Sequence, residues 1–219
     1  MRLTDPEAVL FDLDGTVVDT IPHILASFRH ATAEVLGEAL PDDVLLHHVG
    51  VPLAQQMHYF TDDERTAERL LAAYREFNHR THDEMARLYP NTIAALQTLD
   101  AEGVRMGIVT SKSRHMAERA IRLFDLGAYF PILVSADDTS AHKPDPEPVM
   151  RGLALLGANP ARSVYVGDAP ADIESGNAAG VSTVAATWGV AARARLEAAG
   201  PTAIIDDIAE LPGLLGFVD

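Results

Sequence analysis

Five short apolar runs alternate along this chain with stretches of helical periodicity, and that alternation constrains the fold more than any other feature. The runs are Ala8–Leu13, Met106–Thr110, Ile132–Ser135, Val164–Val166 and Ser182–Ala186, with Ala203–Ile205 as a weaker sixth. Short, apolar and rich in β-branched residues, they read as strands buried on both faces, the pattern of a parallel sheet. Between them, Thr92–Ala101 places Ile93, Leu96 and Leu99 on one helical face and meets a stop at Gly103. Pro148–Leu156 ends at Gly157, and Asp172–Ala179 ends at Gly180. This spacing predicts a doubly wound α/β sheet, in which ligands bind beyond the carboxyl ends of the strands.

Residues 19–89 break the alternation. They hold no convincing strand, their Leu, Phe and Ala spacing is helical, and seven of the nine histidines fall within them. The expected organisation is a catalytic core of residues 1–18 and 90–219, with an all-helical cap of residues 19–89 inserted after the first strand. Asp19–Thr20 and Tyr89–Pro90 are the expected junctions.

Polar residues collect where the strands end. The first run ends Asp12-Leu13-Asp14-Gly15-Thr16, with two carboxylates at i and i+2 on the same side of an extended chain and a glycine that permits a sharp turn. Paired acids at the mouth of a buried strand are costly unless a cation compensates them, and a hard divalent ion suits oxygen ligands. The second run ends in Thr110-Ser111, where a following helix start can receive an anion. After the third comes His142-Lys143-Pro144-Asp145-Pro146, whose prolines stiffen the loop carrying Lys143. The fourth ends in Gly167-Asp168, followed by Asp172.

Composition narrows the chemistry. There is no cysteine, so disulfides, zinc–thiolate sites and thiolate nucleophiles are excluded. A formal net charge of −15 argues against a nucleic-acid partner and requires a phosphate-handling site to carry its own positive charge. Lysine occurs only at Lys112 and Lys143 against fifteen arginines, which reads either as the codon bias of a GC-rich genome or as lysine kept where a compact ammonium is needed, Lys143 foremost. No run approaches the ~18 apolar residues of a membrane span, and Met1–Glu7 lacks a basic-then-apolar leader, so a cytoplasmic protein without a membrane partner is expected. Nothing in the sequence sets an oligomeric state.

The whole set resembles the haloacid dehalogenase superfamily: Phe11–Thr16, Val109-Thr110-Ser111, Lys143–Pro146, and Val166-Gly167-Asp168 with Asp172 match its four motifs in order. Ala178-Ala179-Gly180 and Thr187-Trp188-Gly189 are similar to its phosphatase branch. The resemblance implies a Rossmann-like sheet with a helical cap, and a magnesium-dependent phosphohydrolase. It implies that Asp12 attacks phosphorus, and that Asp14 protonates the leaving oxygen and then activates water, with a pKa near working pH. It also implies that Thr110 and Lys143 bind the phosphoryl group, with Thr16 and Ser111 as further phosphate contacts. Mg2+ would be held by Asp12, the Asp14 carbonyl and Asp168, with Asp172 acting through water or orienting that shell. Lys112 departs from the asparagine often found near this position and is expected to touch phosphate. The dehalogenase branch lacks the second acid of the first motif, which Asp14 supplies here.

The cap speaks to substrate. Tyr74–Asp83, with Arg75, Asn78 and His79, is similar to the cap of the pyrophosphatase branch, so a small phosphorylated substrate, foremost inorganic pyrophosphate, is expected. Phosphoglycolate or other small phosphomonoesters remain open, as do a sugar phosphomutase and an inactive binding protein on the same fold. A solvated helix face with Tyr74 and Phe77 as packing is the plain alternative for the same stretch.

Overall fold

The computed structural model describes residues 3–217. The chain runs β1 (Ala8–Phe11), β2 (Val18–Asp19), α1 (Ile21–Leu36), α2 (Asp42–Leu46), α3 (Leu53–Met57), α4 (Glu64–Met85) and β3 (Arg87–Leu88). It continues through α5 (Thr92–Ala101), β4 (Arg105–Val109), α6 (Arg114–Leu123), β5 (Ile132–Val134), α7 (Glu147–Leu156) and β6 (Ser163–Gly167). It closes with α8 (Pro170–Ala178), β7 (Ser182–Ala186), α9 (Arg193–Ala198), β8 (Ala203–Ile205) and α10 (Glu210–Leu214).

Six strands form one parallel sheet in the order β5-β4-β1-β6-β7-β8, so the expected α/β sheet is present. Alternation along β1 divides its side chains between two cores. Val9 and Phe11 join Leu96 and Leu99 of α5 and Leu211 of α10 on one face. Leu10 joins Val109, Val149 and Leu153 on the other. Burial on both faces explains why the strands read as continuous apolar runs.

The first strand is shorter than its apolar run. The chain leaves the ladder after Phe11, because the Leu13 carbonyl accepts from the Val17 and Val18 amides and closes a tight turn. Residues 19–89 hold the helices α1 to α4, with one element the periodicity missed. Val18–Asp19 pairs antiparallel with Arg87–Leu88, making a two-stranded ribbon where the chain enters and leaves the helical segment. Two-residue strands carry no period to detect.

The cap has a core of its own. On α4 the stripe Ala67, Leu70, Tyr74 packs against Ile24, Phe28 and Ala31 of α1, with Phe28 and Tyr74 ring centroids 4.7 Å apart. Burying each such aromatic or leucine contributes roughly 1.5–3 kcal/mol. Further along the same stripe the residues turn polar. Asn78 and His82 face His23 and Ser27 of α1, and the His23 and His82 rings meet edge-on at 5.7 Å. The cap is tied to the core by Arg119, which donates to Asp83 at 2.8 Å and to the His79 carbonyl at 2.7 Å.

Candidate active site

β1 lies between β4 and β6 in mid-sheet, so its carboxyl end opens between their ends. Asp12 follows it directly, 6% exposed, its amide held by the Val166 carbonyl. The turn beyond needs Gly15: its φ is +84°, and a Cβ there would stand 2.3 Å from Asp168 Oδ2. One glycine therefore lets the chain reverse and lets a carboxylate from β6 approach the backbone of the first turn.

Lys143, on the loop after β5, reaches into this cleft and is 3% exposed. Its ammonium donates to Asp12 Oδ1 at 2.9 Å, Asp172 Oδ1 at 2.5 Å and the Tyr165 hydroxyl at 3.1 Å. An ammonium has three donors, so all are taken. Burial would favour the neutral amine, but Asp12 and Asp172 hold Lys143 charged, well above its ordinary value. The Tyr165 hydroxyl donates to the Val109 carbonyl at 2.9 Å, fixing the ammonium's third neighbour. Asp172 is committed on both oxygens, since its Oδ2 accepts the Ala169 amide at 3.0 Å.

Two carboxylates carry the strain of the site. Burial first, opposed by Lys143, and then the charges of Asp172 and Asp14 push Asp12 up to about 7. Burial, then Asp172 and Asp12, push Asp168 well above the carboxylate range. Oxygens of Asp12, Asp168 and Asp172 lie within 4.8 Å of one another. One lysine does not offset three buried acids, and an all-oxygen cluster of this kind fits a hard divalent cation.

Thr16 does not meet the expectation placed on it. It is fully buried, and its hydroxyl donates to Asp168 Oδ1 at 3.0 Å. Its hydroxyl orients a carboxylate instead of meeting phosphate, because it is buried and committed to Asp168. Asp168 Oδ2 accepts the Val190 amide at 2.7 Å, so the side chain is held from both sides.

Asp14 differs from expectation as well. Its two oxygens accept from Lys112 Nζ at 2.7 and 2.8 Å, and Oδ1 accepts from Thr20 at 2.6 Å. Burial would raise its pKa, but the charge and hydrogen bonds of Lys112 and the bond from Thr20 outweigh burial and hold it below the usual range. In this arrangement Asp14 is an ionised acceptor, not an acid poised near neutrality.

A cavity of about 290 Å3 stands over these groups. Asp12, Asp14, Thr110, Lys112 and Asp168 line it from the core, and Arg75, Asn78 and His79 from the cap. Thr110 continues the β4 ladder to the Val134 carbonyl. Ser111 lines the cavity, but its hydroxyl donates to the Gly50 carbonyl of the cap at 2.7 Å. Asn78 spends its amide on Ser27 at 3.1 Å and approaches His23 at 3.4 Å, whereas Arg75 and His79 are exposed. Tyr74 is packing in the cap core, as its plain reading had it. Two residues went unread in the sequence. Tyr165 looked like strand filler, and Thr20 looked like a junction residue; no local pattern marks either.

The sequence profile of haloacid dehalogenase-like hydrolases matches residues 9–186. A protein of Bacillus cereus named pyrophosphatase PpaX is 37% identical over 207 residues, covering 94% of this chain and 95% of that one. One of Bacillus mycoides with the same name is 35% identical over 211 residues, covering 96% and 97%. A solved structure from Haemophilus somnus, described as a predicted phosphoglycolate phosphatase, superimposes with a TM-score of 0.89 at 23% identity, covering 96% of this chain and 98% of that one.

Proposed function

The chain belongs to the haloacid dehalogenase-like hydrolases and is a phosphatase of that family, and we propose that it is a magnesium-dependent pyrophosphatase working through phosphorylation of Asp12. The observation that carries this reading is the cavity itself: the Asp12–Lys143 pair, Lys112, and the cap residues Arg75 and His79 all line or adjoin one space suited to a small polyanion. The relatives named pyrophosphatase support the same choice.

Asp12, Asp168 and the main-chain carbonyl of Asp14 would hold Mg2+, which when bound draws charge from phosphoryl oxygens and offsets the buried acids. Asp12 supplies an oxygen to phosphorus while the bond to the leaving phosphate breaks, and the departing oxygen keeps the electron pair. Lys143, fixed by Asp172 and Tyr165, favours the ionised Asp12 carboxylate against burial and aims it. As Lys112 turns to the substrate, Asp14 loses the contacts that depress its proton affinity. It then takes a proton from the water whose oxygen attacks the aspartyl phosphate, which returns Asp12 and frees phosphate.

Ile24, Phe28, Leu53 and Met116 give the cavity an apolar wall, and this favours a second reading, a phosphatase of a small organic ester such as phosphoglycolate. The test is phosphate release from pyrophosphate and phosphoglycolate side by side, with and without Mg2+, with Asp12→Asn as the blank. Mg2+-dependent release favouring pyrophosphate supports the proposal. Preference for phosphoglycolate keeps the chemistry and replaces the substrate, and release that survives Asp12→Asn removes the nucleophile.

A further inference from the structure

The cap lends two buried carboxamides to the cavity wall, Gln56 and Asn78. Gln56 spends its nitrogen on the Val51 carbonyl at 2.7 Å, and its oxygen has no partner among the described residues. Asn78 is held the same way round by bonds that run behind it. Two helix carbonyls set their polarity, because a carbonyl can only accept. The Thr81 hydroxyl lies 2.8 Å from the Phe77 carbonyl and the Ser27 hydroxyl 2.7 Å from the His23 carbonyl, so each gives its one proton there. Burial, with the charges of Lys112 and His82 behind it, holds His23 neutral. Thr81 Oγ1, its proton already given, accepts from His23 Nε2 at 3.1 Å, which leaves Nδ1 as the bare nitrogen. Asn78 Nδ2 therefore faces two acceptors, Ser27 Oγ at 3.1 Å and His23 Nδ1 at 3.4 Å. Its Oδ1 makes no hydrogen bond among the described residues and, unlike the Gln56 oxygen, is not sealed from the cavity that Asn78 lines.

We propose that Asn78 is a specificity-determining residue: it offers the distal end of the substrate an acceptor, and so selects phosphate substrates ending in an O–H over those ending in a carboxylate. Ser27 and His23 are its positioning residues, and neither lines the cavity. This rests on the reading of the cavity as a phosphatase site and deepens it. Turning the amide round would take Nδ2 from both its acceptors and set Oδ1 against the bare Nδ1 and the Ser27 oxygen, so the orientation is locked. An acceptor left unmatched by a bound ligand is costly, and an O–H matches it. A carboxylate, ionised at neutral pH, brings only lone pairs to lone pairs. Two groups supply the O–H: an alcohol hydroxyl, or the outer phosphoryl of pyrophosphate, since phosphates are partly protonated near neutral pH.

The test uses ethyl phosphate, 2-hydroxyethyl phosphate and phosphoglycolate, which share one ester linkage and differ at the distal end, with pyrophosphate beside them and Mg2+ saturating. In wild type, KM for 2-hydroxyethyl phosphate should lie about tenfold below that for phosphoglycolate, the scale of one hydrogen bond. The contact is remote from phosphorus, so substitutions behind Asn78 should move KM and leave kcat nearly unchanged. Ser27→Ala with His23→Phe removes both acceptors that hold the nitrogen, and the KM ratio should shrink to about twofold or invert. His23→Asn alone, whose carbonyl can stand in for Nδ1, should return the wild-type ratio. Should the double variant not fold, Asn78→Leu removes the acceptor itself and should bring 2-hydroxyethyl phosphate to the level of ethyl phosphate. Where turnover is too slow, calorimetry on Asp12→Asn protein reads the same ratios as Kd. A ratio that none of these substitutions moves, or a wild type that takes phosphoglycolate at the lower KM, would overturn the assignment. A pyrophosphate KM that rises in the double variant identifies a protonated phosphoryl as the donor, and one that stays while the ester ratio shifts identifies the alcohol; both support the acceptor. A wild type that spares pyrophosphate yet keeps the ester order would remove the pyrophosphatase reading and leave Asn78 in its role.

Discussion

Replacing Lys143 by methionine, with Asp172→Asn as its companion, probes the centre of the site through a double-mutant cycle. Lys143→Met deletes three N–H donors and leaves Asp12 and Asp172 buried without their cation. Removing one partner of a buried charge pair costs about 3–5 kcal/mol, so a loss near 4 is expected. Asp172→Asn removes a charge but keeps the volume. It turns an amide NH2 toward either Lys143 or the Ala169 amide, both of which are donors. That mismatch costs about 1–3 kcal/mol. In the double variant the repulsion between Asp12 and Asp172 is gone with the lysine. Its loss should fall at least ~1.5 kcal/mol short of the sum, within the 0.5–3 kcal/mol range seen for residues in contact. Urea denaturation followed by circular dichroism, at neutral pH with chelator present, measures all four corners. Adding Mg2+ should recover more stability in Lys143→Met than in wild type, because a second cation then meets the unpaired acids. Additivity within ~0.5 kcal/mol, or a Lys143→Met protein as stable as wild type, would refute the picture of one lysine compensating the buried carboxylates.

Two further outcomes follow from the structure. His23 is sealed inside the cap, where burial first, then the positive charges of Lys112 and His82, lower it from an ordinary value near 6.5 to about 4. The unfolded chain therefore binds a proton that the folded one refuses, so its contribution is complete above pH 6.5 and lost as pH falls toward 4. About 2 kcal/mol of it is gone by pH 5, and a His23→Gln variant should show that much less acid destabilisation in denaturation curves taken at pH 7 and pH 5. Gly15→Ala places a methyl 2.3 Å from Asp168 Oδ2 at a φ of +84°. Backbone strain of about 1–3 kcal/mol should appear in the melting curve, and phosphate release should fall by at least about 100-fold as Asp168 is displaced; near-wild-type turnover would mean that Asp168 tolerates the shift.

Local signals carried a large part of this molecule. Apolar runs bounded by glycine and proline located every strand of the main sheet, because a strand buried on both faces has nothing but apolar residues to offer. The helices α5, α7 and α8 were legible from their periodicity and glycine stops to within two residues at either end. The acids, threonine and lysine at the strand ends were legible for a topological reason: parallel strands send all their carboxyl ends to one edge of the sheet. The β2–β3 ribbon escaped, since two residues hold no period.

Which strand-end group meets which was a tertiary decision. Thr16 and Asp168 are 152 positions apart, Lys143 and Asp12 131, and Lys112 and Asp14 98. A one-dimensional pattern says that such residues share an edge of the sheet, and stops there. The sequence alone therefore determined that this chain builds a parallel α/β sheet with a helical insertion and sets acids, a hydroxyl and a lysine at its mouth. Only the folded chain decided that Thr16 steadies a carboxylate, that Tyr165 completes the shell of Lys143, and that Lys112 clasps Asp14. Hydrogen bonds depend on a few tenths of an ångström and on the direction of a donor, and those are set by how the turns after β1 and β6 and the cap pack together.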